Sequence, residues 1–548
     1  MADLSTPPRP DVSTGSDPSP ASATPTRRPS AWRLVRGQVA HASRDTWRTP
    51  VAMVVTLALP LLFLAISGLA AGATPGTTAD PAIQRLVPGA AVFAIAMSAF
   101  VLLAYSVALA REEGILKRLR GTPLPAWAYL AGRTGAAAWV AVAGTLLMVA
   151  VGALAYGLQV PLRMLPAAVL GLLVTIVTLA VLGFAIATLV RGAQAVMGIT
   201  MGSVVLLGFV SDMYGFGADM PGWLATVGWA LPLRHAVEVL ALPLDLTATG
   251  SGIAVSSLAA LLAWGAGGGL LATRSFTLDA KASRHGAHRR PTARGGPFGF
   301  GWASPLGLVW GQLRYANRSI WREPVFAGFA LVMPTLFVVV LPQVVGNPEI
   351  EGVPFSTSMV TGMMVFGAAL TAYVALPELV AVARDRGLLK RLRGTPLPAW
   401  AYLTGRILSV FWVTTITVAI VLGAGWLLYD TVPDTAGWLP LVLVLATGVA
   451  CFAALGMAVA TLVPDADTVP AVTLATFLPL VFLSGIFPLG DTLPDIIPTI
   501  TAWLPIAPLV DAVREAFATG GLLAGELAIV AAWTIGGILV ALTRFRWQ

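Results

Sequence analysis

Apolar runs of about 20 residues recur along this chain, and they constrain its fold more than any other feature. A helix of about 20 apolar residues spans the roughly 30 Å hydrocarbon core of a bilayer. The chain is 57% hydrophobic and only 11% charged, and its mean hydropathy is +0.82, which is far outside the range of soluble domains. We therefore predict an all-α polytopic membrane protein.

Hydropathy predicts six spans in each half of the chain. They cover residues 51–71, 88–110, 128–156, 165–190, 195–213 and 252–273 in the first half, and 325–341, 356–379, 401–429, 439–463, 469–488 and 523–543 in the second. Residues 1–30 are rich in Pro, Ser and Thr and predict a disordered tail. The predicted domains are this tail, a first six-span half at 31–275, a linker at 276–304 and a second six-span half at 305–548.

A segment of fifteen residues occurs twice without a change. It reads LKRLRGTPLPAWAYL at 116–130 and again at 389–403, an offset of 273. Weaker matches extend this duplication over nearly the whole chain. Because each half has an even number of spans, both halves have the same orientation. The sequence thus predicts a parallel repeat with a pseudo-two-fold axis along the membrane normal.

The distribution of basic residues sets the orientation. With a cytoplasmic N-terminus and twelve transmembrane helices, only Arg85, Arg163, Arg234 and Arg514 of the 34 basic residues lie outside. The positive-inside rule therefore predicts cytoplasmic N- and C-termini and places both copies of the repeated segment on the cytoplasmic side of the plasma membrane.

The repeated segment follows the second span of each half. Gly114 and Gly387 allow the helix to break there, and a short basic amphipathic helix follows. The positive-inside rule explains the charge of such a loop, but it does not explain why its Leu, Thr, Pro, Trp and Tyr residues are identical. We favour two docking surfaces for one partner. Just upstream, Glu112-Glu113 is replaced by Asp385-Arg386, which predicts that the two surfaces are electrostatically unequal.

A basic, tryptophan-containing segment precedes the first span of each half. Arg314, Arg318 and Arg322 recur at every fourth position, with Leu313 and Trp321 on other faces. This pattern predicts an amphipathic connecting helix in the headgroup plane. A basic flank that only sets topology is the alternative.

The sequence lacks the motifs of an enzyme. No lysine follows a glycine, so the chain has no phosphate-binding loop, and it has no G-x-S-x-G or H-E-x-x-H motif. We predict that the chain is not an enzyme and binds no cofactor or metal, and that its energy source is another chain. Carboxylates within the spans, which mark ion-coupled carriers, are scarce.

The run Arg111-Glu-Glu-Gly-Ile-Leu-Lys-Arg-Leu-Arg-Gly-Thr-Pro-Leu-Pro125 resembles the cytoplasmic loop of ABC-2 type transporter permeases. The fused two-half form resembles actinobacterial antibiotic and multidrug exporters of the tetronasin-resistance type. The resemblance implies a type V exporter-like fold and a coupling helix after each second span. The implied ATPase-coupling residues are Glu112, Glu113, Gly114, Lys117, Arg118, Arg120, Asp385, Arg386, Gly387, Lys390, Arg391 and Arg393.

The resemblance also implies partners and a substrate. A separate ABC ATPase, in two copies and carrying ATP and Mg, would energise export of hydrophobic or amphiphilic drugs or antibiotics through the plasma membrane of an actinobacterial cell. Nucleic acid is not an expected partner. The implied substrate path contains Phe93, Met97, Phe100, Met201, Phe209, Met363, Phe366, Tyr373, Phe477 and Phe482. Export of a lipid or glycan precursor is the alternative function, and an ion-driven secondary carrier is a further one.

Overall fold

The computed structural model describes residues 31–48, 54–70, 81–119, 126–190, 192–214, 222–248, 250–275, 305–320, 324–350, 352–385, 387–394, 397–466, 468–487 and 496–544. Within these ranges the protein is helical apart from turns, loops and one strand pair, Glu349–Ile350 antiparallel to Val353–Pro354. The all-α prediction is confirmed for these residues. The predicted tail at 1–30 and the predicted linker at 276–304 lie entirely outside them.

The two halves contain the same succession of helices. In the first half the α-helices are Ala31–Arg48, Leu59–Ala70, Pro81–Ile95, Leu103–Glu112, Ile115–Leu119, Ala126–Tyr156, Leu165–Leu189, Ala193–Val210, Gly222–Trp229, Pro232–Ala241 and Val255–Ser275. In the second half they are Pro305–Ile320, Pro324–Val345, Phe355–Ala369, Leu376–Asp385, Leu388–Arg393, Ala399–Tyr429, Trp438–Leu462, Val469–Leu483, Ile496–Thr501, Ile506–Ala518 and Ala524–Arg544.

Three pairs of short helices are named here. The leading helices are Ala31–Arg48 and Pro305–Ile320, the loop helices are Ile115–Leu119 and Leu388–Arg393, and the elbow helices, which precede each last span, are Pro232–Ala241 and Ile506–Ala518. The loop helices lie within the repeated sequence.

Among the described residues, nine helices are long and apolar enough to cross a membrane. Three further apolar helices are shorter, namely Thr56–Ala65, Ala330–Gln343 and Val469–Leu483. They lie where we predict the first span of each half and the fifth span of the second half. The count of twelve crossings stays a prediction.

The second span is the central helix of each half. Its most apolar window is 89% buried in the first half and 67% buried in the second, against 17% and 11% for the last spans. In both halves the helix becomes π-helical near its middle, at Ala96–Leu102 and at Leu370–Ala375. Such wide turns are rare and occur often at functional sites.

A glycine of the fourth span lies against each π-helical segment. A Cβ atom at Gly183 would be 2.8 Å from the carbonyl oxygen of Phe100, and one at Gly456 would be 2.8 Å from that of Ala372. Because there is no side chain between them, the backbones of the second and fourth spans are in direct contact at this point.

The leading helices pack closely on the third spans. A Cβ atom at Gly132 would lie 2.2 Å from the Cβ of Gln38, and one at Gly405 would lie 2.4 Å from that of Gln312. The other side of the second leading helix carries Trp310, which is 61% exposed. This division into a packed face and an aromatic face is typical of a helix at a membrane interface.

Each elbow helix is tied to the turn that ends the fifth span. In the first half Arg234 pairs with Asp212 at 3.4 Å, and in the second Arg514 donates a hydrogen bond of 2.6 Å to the carbonyl oxygen of Gly485. Asp212 and Gly485 are equivalent in the repeat, and both have a positive φ, +55° and +74°. The same turn is therefore held by two different interactions.

The halves meet through their first and fifth spans. The ring of Phe209 on the fifth span of the first half lies 5.3 Å from that of Phe337 on the first span of the second half. Leu474 and Leu478, on the fifth span of the second half, pack against the hydrophobic cores of both halves. A movement of either fifth span would therefore change its contacts with the opposite half.

Candidate coupling and translocation sites

The second span ends at a glycine in each half. Gly114 has φ +71° and Gly387 has φ +66°. This left-handed conformation favours glycine and ends an α-helix. The first bond of each loop helix is also the same, because the N–H of Arg118 donates to Gly114 O and that of Arg391 to Gly387 O, both at 3.2 Å.

An arginine in the last turn of the second span holds the end of the fourth span. Arg111 donates from Nη1 to the carbonyl oxygen of Ala187 at 2.6 Å and from Nη2 to that of Val190 at 2.7 Å. Carbonyl groups at a helix C-terminus have no partner within the helix and carry partial negative charge. A guanidinium group satisfies two of them at once.

The second half contains the equivalent clamp. Arg384 donates from Nη1 to the carbonyl oxygen of Ala460 at 2.8 Å and from Nη2 to that of Val463 at 3.1 Å. Its Nη2 also contacts the carbonyl oxygen of Pro464. We call these two sets of contacts the arginine clamps; each joins the end of the second span to the end of the fourth.

The next residue is a carboxylate that reaches the chain leading into the fifth span. Glu112 Oε1 accepts the N–H of Ala193 at 2.9 Å, and Asp385 Oδ2 accepts the N–H of Ala466 at 3.0 Å. Ala193 is the first residue of the fifth-span helix, where unpaired N–H groups favour an anion. The second, fourth and fifth spans are thus linked at one end of each half.

These contacts show that the two loops differ in charge at fewer positions than we expected. We expected Glu112-Glu113 and Asp385-Arg386 to make the surfaces unequal. The structure places Asp385 in the same role as Glu112, so the difference is confined to the next position, where Glu113 is exposed. Arg386 lies outside the described residues.

The other predicted coupling residues lie on or beside the loop helices. Glu113, Arg118, Lys390 and Arg391 are exposed. Lys117 and Arg393 lie within the loop helices, of which only the backbone is described at these positions, and Arg120 lies outside the described residues. Leu389 is 2% exposed and anchors the second loop helix.

Four aromatic side chains form the same cluster in each half. The members are Phe63, Phe93, Phe209 and Tyr214 in the first half, and Phe337, Phe366, Phe482 and Phe487 in the second. The centroid distance is 6.2 Å both for Phe63–Phe93 and for Phe337–Phe366. We call these the aromatic quartets. Each joins the first, second and fifth spans of its half; the ring contacts are edge-to-face or tilted, except that Phe482 and Phe487 are stacked.

The quartets are joined across the interface between the halves. Phe209 of the first quartet contacts Phe337 of the second, and Phe366 lies 5.7 Å from Phe477, which in turn is 6.4 Å from Tyr373. A continuous series of rings therefore runs from one half into the other. The rings lie on the four spans in which we expected the substrate path and on the first span of each half.

The remaining predicted path residues differ in accessibility. Met97 and Met363 are fully buried within their own halves. Phe100 and Tyr373 are equivalent in the repeat and lie on the π-helical segments, and both are partly buried. The Tyr373 hydroxyl shares a hydrogen bond of 2.8 Å with Thr476 Oγ1 on the fifth span. Met201 is partly buried against the first-half core.

Sequence reasoning missed Phe63, Tyr214, Phe337 and Phe487. A signal was available for each pair, because Phe63 and Phe337 both stand three residues after a proline in the first span, and Tyr214 and Phe487 are separated by the repeat offset. Their contact with the second span depends on packing that no local pattern encodes.

Comparison with known proteins agrees with this architecture. The sequence matches the ABC-2 type transporter family over residues 38–242 and 308–518, one match in each half. The chain therefore belongs to the ABC-2 type transporter family, whose permeases generally pair with an ATPase subunit.

Two relatives of lower sequence identity match part of the chain. The chain is 25% identical over 190 residues to the Bacillus subtilis (strain 168) protein named "Putative transport permease YvfS", covering 34% of this chain and 76% of that protein. It is 28% identical over 160 residues to the Escherichia coli (strain K12) protein named "Probable multidrug ABC transporter permease YbhR", covering 28% of this chain and 42% of that protein.

Proposed function

We propose that this chain is the transmembrane permease subunit of an ATP-driven exporter for hydrophobic or amphiphilic compounds such as drugs and antibiotics. It has twelve crossings in two parallel halves, both termini and both loop helices are cytoplasmic, and two copies of a separate ATPase bind the loop helices. The duplicated loop with its arginine clamp is the observation that carries the proposal. One of the curated relatives is named as a multidrug permease.

The clamps supply a route from ATPase to substrate. A force on a loop helix acts on the end of the second span through Gly114 or Gly387. Arg111 and Arg384 bind the fourth span, and the neighbouring carboxylates bind the start of the fifth. The three spans therefore move together, and the allowed motion is a shift of one packed unit against another.

The aromatic series supports an apolar substrate. The quartets lie on the first, second and fifth spans, and the contact between Phe209 and Phe337 joins the halves. When the halves separate, these rings become the surface that a hydrophobic compound meets. Aromatic rings bury a large apolar area and stack on planar ligands, which suits substrates of varied shape.

A charge-reversal experiment tests the coupling role. Arg118→Glu combined with Arg391→Glu places a negative charge on each loop helix, and we expect co-purification with the cognate ATPase and stimulation of vanadate-sensitive ATP hydrolysis to fall about tenfold or more. Arg85→Glu combined with Arg163→Glu makes the same charge change at exposed sites on the opposite face and is the control. Both variants should retain the wild-type Tm.

Transport measurements separate the competing functions. Uptake of an apolar dye into inverted vesicles should require ATP and stop with vanadate. Dye transport that collapses with the proton gradient while ATP remains high would contradict the proposal and favour an ion-driven carrier. ATP-dependent movement of a lipid or glycan precursor, without any drug or dye, would place the protein in the alternative class of exporter.

A further inference from the structure

A cavity of about 440 Å³ opens beside the loop helix of the second half. Arg384 and Asp385 line it from the second span, Lys390 from the loop helix, Thr461 from the fourth span and Arg544 from the last span. Four separate parts of the half therefore converge on one space, at the end of the bundle that carries the arginine clamp.

The charged groups of this cavity are suited to an anion. Arg384 and Asp385 are held by backbone groups of the fourth and fifth spans. Lys390 and Arg544 are both exposed, and within the described part of the chain neither has an ion-pair partner. Lysine and arginine offer only hydrogen-bond donors, so their natural ligand is an oxyanion such as phosphate.

The surface beside the cavity is apolar. Leu462 is 58% exposed and follows Thr461, and Leu539 and Leu542 are 58% and 73% exposed on the last span, within two turns of Arg544. Leucines exposed on membrane spans face the acyl chains of lipids. A ligand that fits this place has an anionic head and long apolar chains, which an acidic protein segment lacks.

We propose that the cavity binds the headgroup of an anionic phospholipid from the cytoplasmic leaflet. The phosphate lies between Lys390 and Arg544, and the acyl chains run along the exposed leucines of the fourth and last spans. The assignment to this leaflet rests on the orientation proposed above. Because Arg384 and Asp385 line the same cavity, a bound lipid contacts the clamp of the second half directly.

Arg274 provides a matched control in the first half. It stands in the last turn of the last span of that half, as Arg544 does in the second, and it is also exposed. Neither residue belongs to the proposed ATPase surface. Neutralising each one separately therefore compares a basic residue that lines the cavity with one that does not.

The experiment measures lipid binding by the purified full-length chain. Wild type, Arg544→Gln, Arg274→Gln and the double variant Lys390→Gln/Arg544→Gln are titrated with phosphatidylglycerol or phosphatidylcholine, and bound lipid is counted by native mass spectrometry. We expect about fivefold weaker phosphatidylglycerol binding in Arg544→Gln and a larger loss in the double variant, since a basic residue near an anionic lipid contributes about 1 kcal/mol, or about a factor of five. Arg274→Gln should match wild type, and phosphatidylcholine should not distinguish the proteins.

Several outcomes would overturn the proposal. One is equal phosphatidylglycerol binding in wild type and the double variant, and another is an equal loss in Arg274→Gln, which would indicate general surface charge. Glycerol 3-phosphate that competes as well as the lipid would identify a site for free anions. If Arg544→Gln does not fold, Arg544→Lys replaces it and should retain binding. Arg544→Gln should still co-purify with the ATPase, so a failure there concerns the lipid site and not the coupling role.

Discussion

The two halves of the molecule make the same contacts between their second, fourth and fifth spans, but they differ in the surroundings of an arginine on the third span. The arginine clamps and the adjoining carboxylates make the same contacts in both, and Glu112 and Asp385 accept from N–H groups at 2.9 and 3.0 Å although their side chains differ in length. A shorter carboxylate reaches the same partner only if the local backbone adjusts. The contact has therefore persisted through a substitution, which indicates that the contact itself matters.

The third spans carry a tyrosine and an arginine one turn apart, and here the halves diverge. The guanidinium carbon lies 5.6 Å from the tyrosine ring centroid both for Arg133 over Tyr129 and for Arg406 over Tyr402. Arg406 is only 6% exposed, however, and its Nε and Nη1 have no hydrogen-bond partner among the residues that the structure describes. Arg133 is only partly buried. The same residues in the same stacking geometry thus have different solvation.

The two halves are therefore alike in some regions and different in others. Both halves contain the contacts that link the second, fourth and fifth spans, as the proposed coupling mechanism requires. The third span packs on the leading helix in each half and carries none of these linking contacts. The halves therefore differ in the third span and not in the contacts that link the second, fourth and fifth spans.

The largest expected effect tests whether the common core is equally tight in both halves. A Cβ atom at Gly89 would lie 1.9 Å from the carbonyl oxygen of Met213, and one at Gly362 would lie 2.5 Å from that of Ile486. Neither backbone oxygen can rotate away. We expect Gly89→Ala to lower the free energy of unfolding by about 3 kcal/mol or to prevent folding, and Gly362→Ala to cost less, about 1–3 kcal/mol.

Thermal unfolding followed by size-exclusion chromatography measures both variants. Gly423→Ala is the control, because a Cβ atom there meets nothing within 4 Å in the third span of the second half. It should be neutral or raise stability by up to about 1 kcal/mol through helix propensity. If Gly89→Ala and Gly362→Ala are both as stable as wild type, the second span does not pack tightly against the turn that ends the fifth span.

The long helices were predictable because hydropathy alone defines them. The predicted third and fourth spans of the first half, 128–156 and 165–190, correspond to helices Ala126–Tyr156 and Leu165–Leu189. The second span was predicted to begin at 88, but its helix begins at Pro81. Gln84 and Arg85 lower the hydropathy of that turn, although helical geometry continues through it, so composition alone places the boundary too late.

Other features of the sites depend on tertiary structure. The π-helical segments at Ala96–Leu102 and Leu370–Ala375 lie within long, mostly apolar runs. Pro377 follows the second segment, but the first has no proline near it, so no residue type common to both marks the change of hydrogen bonding. The glycines that break the helix before the loop helices were recognisable, because a basic segment follows each of them. The clamps were not, since Arg111 and Arg384 read as ordinary basic residues at a span end and their partners lie about 80 residues further along the chain.

An intermediate effect is expected when the clamps are removed. Arg111→Ala and Arg384→Ala each leave helix-terminal carbonyl groups without their charged donor, and hydrogen bonds to charged groups contribute about 1.5–3 kcal/mol. We expect each variant to lose about 2 kcal/mol of stability, and Arg384→Ala to lose at least as much because its guanidinium contacts three carbonyls and not two. Stimulated ATP hydrolysis should also fall, and by more than the loss of folded protein explains.

Lysine at the same positions distinguishes charge from geometry. Arg111→Lys and Arg384→Lys keep the positive charge but cannot make the two-pronged contact of a guanidinium group. We expect both to bind the ATPase normally and to couple poorly. If lysine restores full stimulation at one position and not at the other, the clamps are unequal and the linkage differs between the halves.

The smallest expected effect has the opposite sign and concerns the third spans. Arg406 carries a buried charge whose Nε and Nη1 lack hydrogen-bond partners in the described part of the chain. Replacing such a group by an apolar side chain of similar volume removes a desolvation cost. We expect Arg406→Met to raise the free energy of unfolding by about 1 kcal/mol and Arg133→Met to leave it unchanged or lower it. Thermal unfolding of the two variants in the same detergent measures the difference. A loss of stability in Arg406→Met would mean that the stacking of its guanidinium group on Tyr402 outweighs the desolvation cost, and would contradict this prediction.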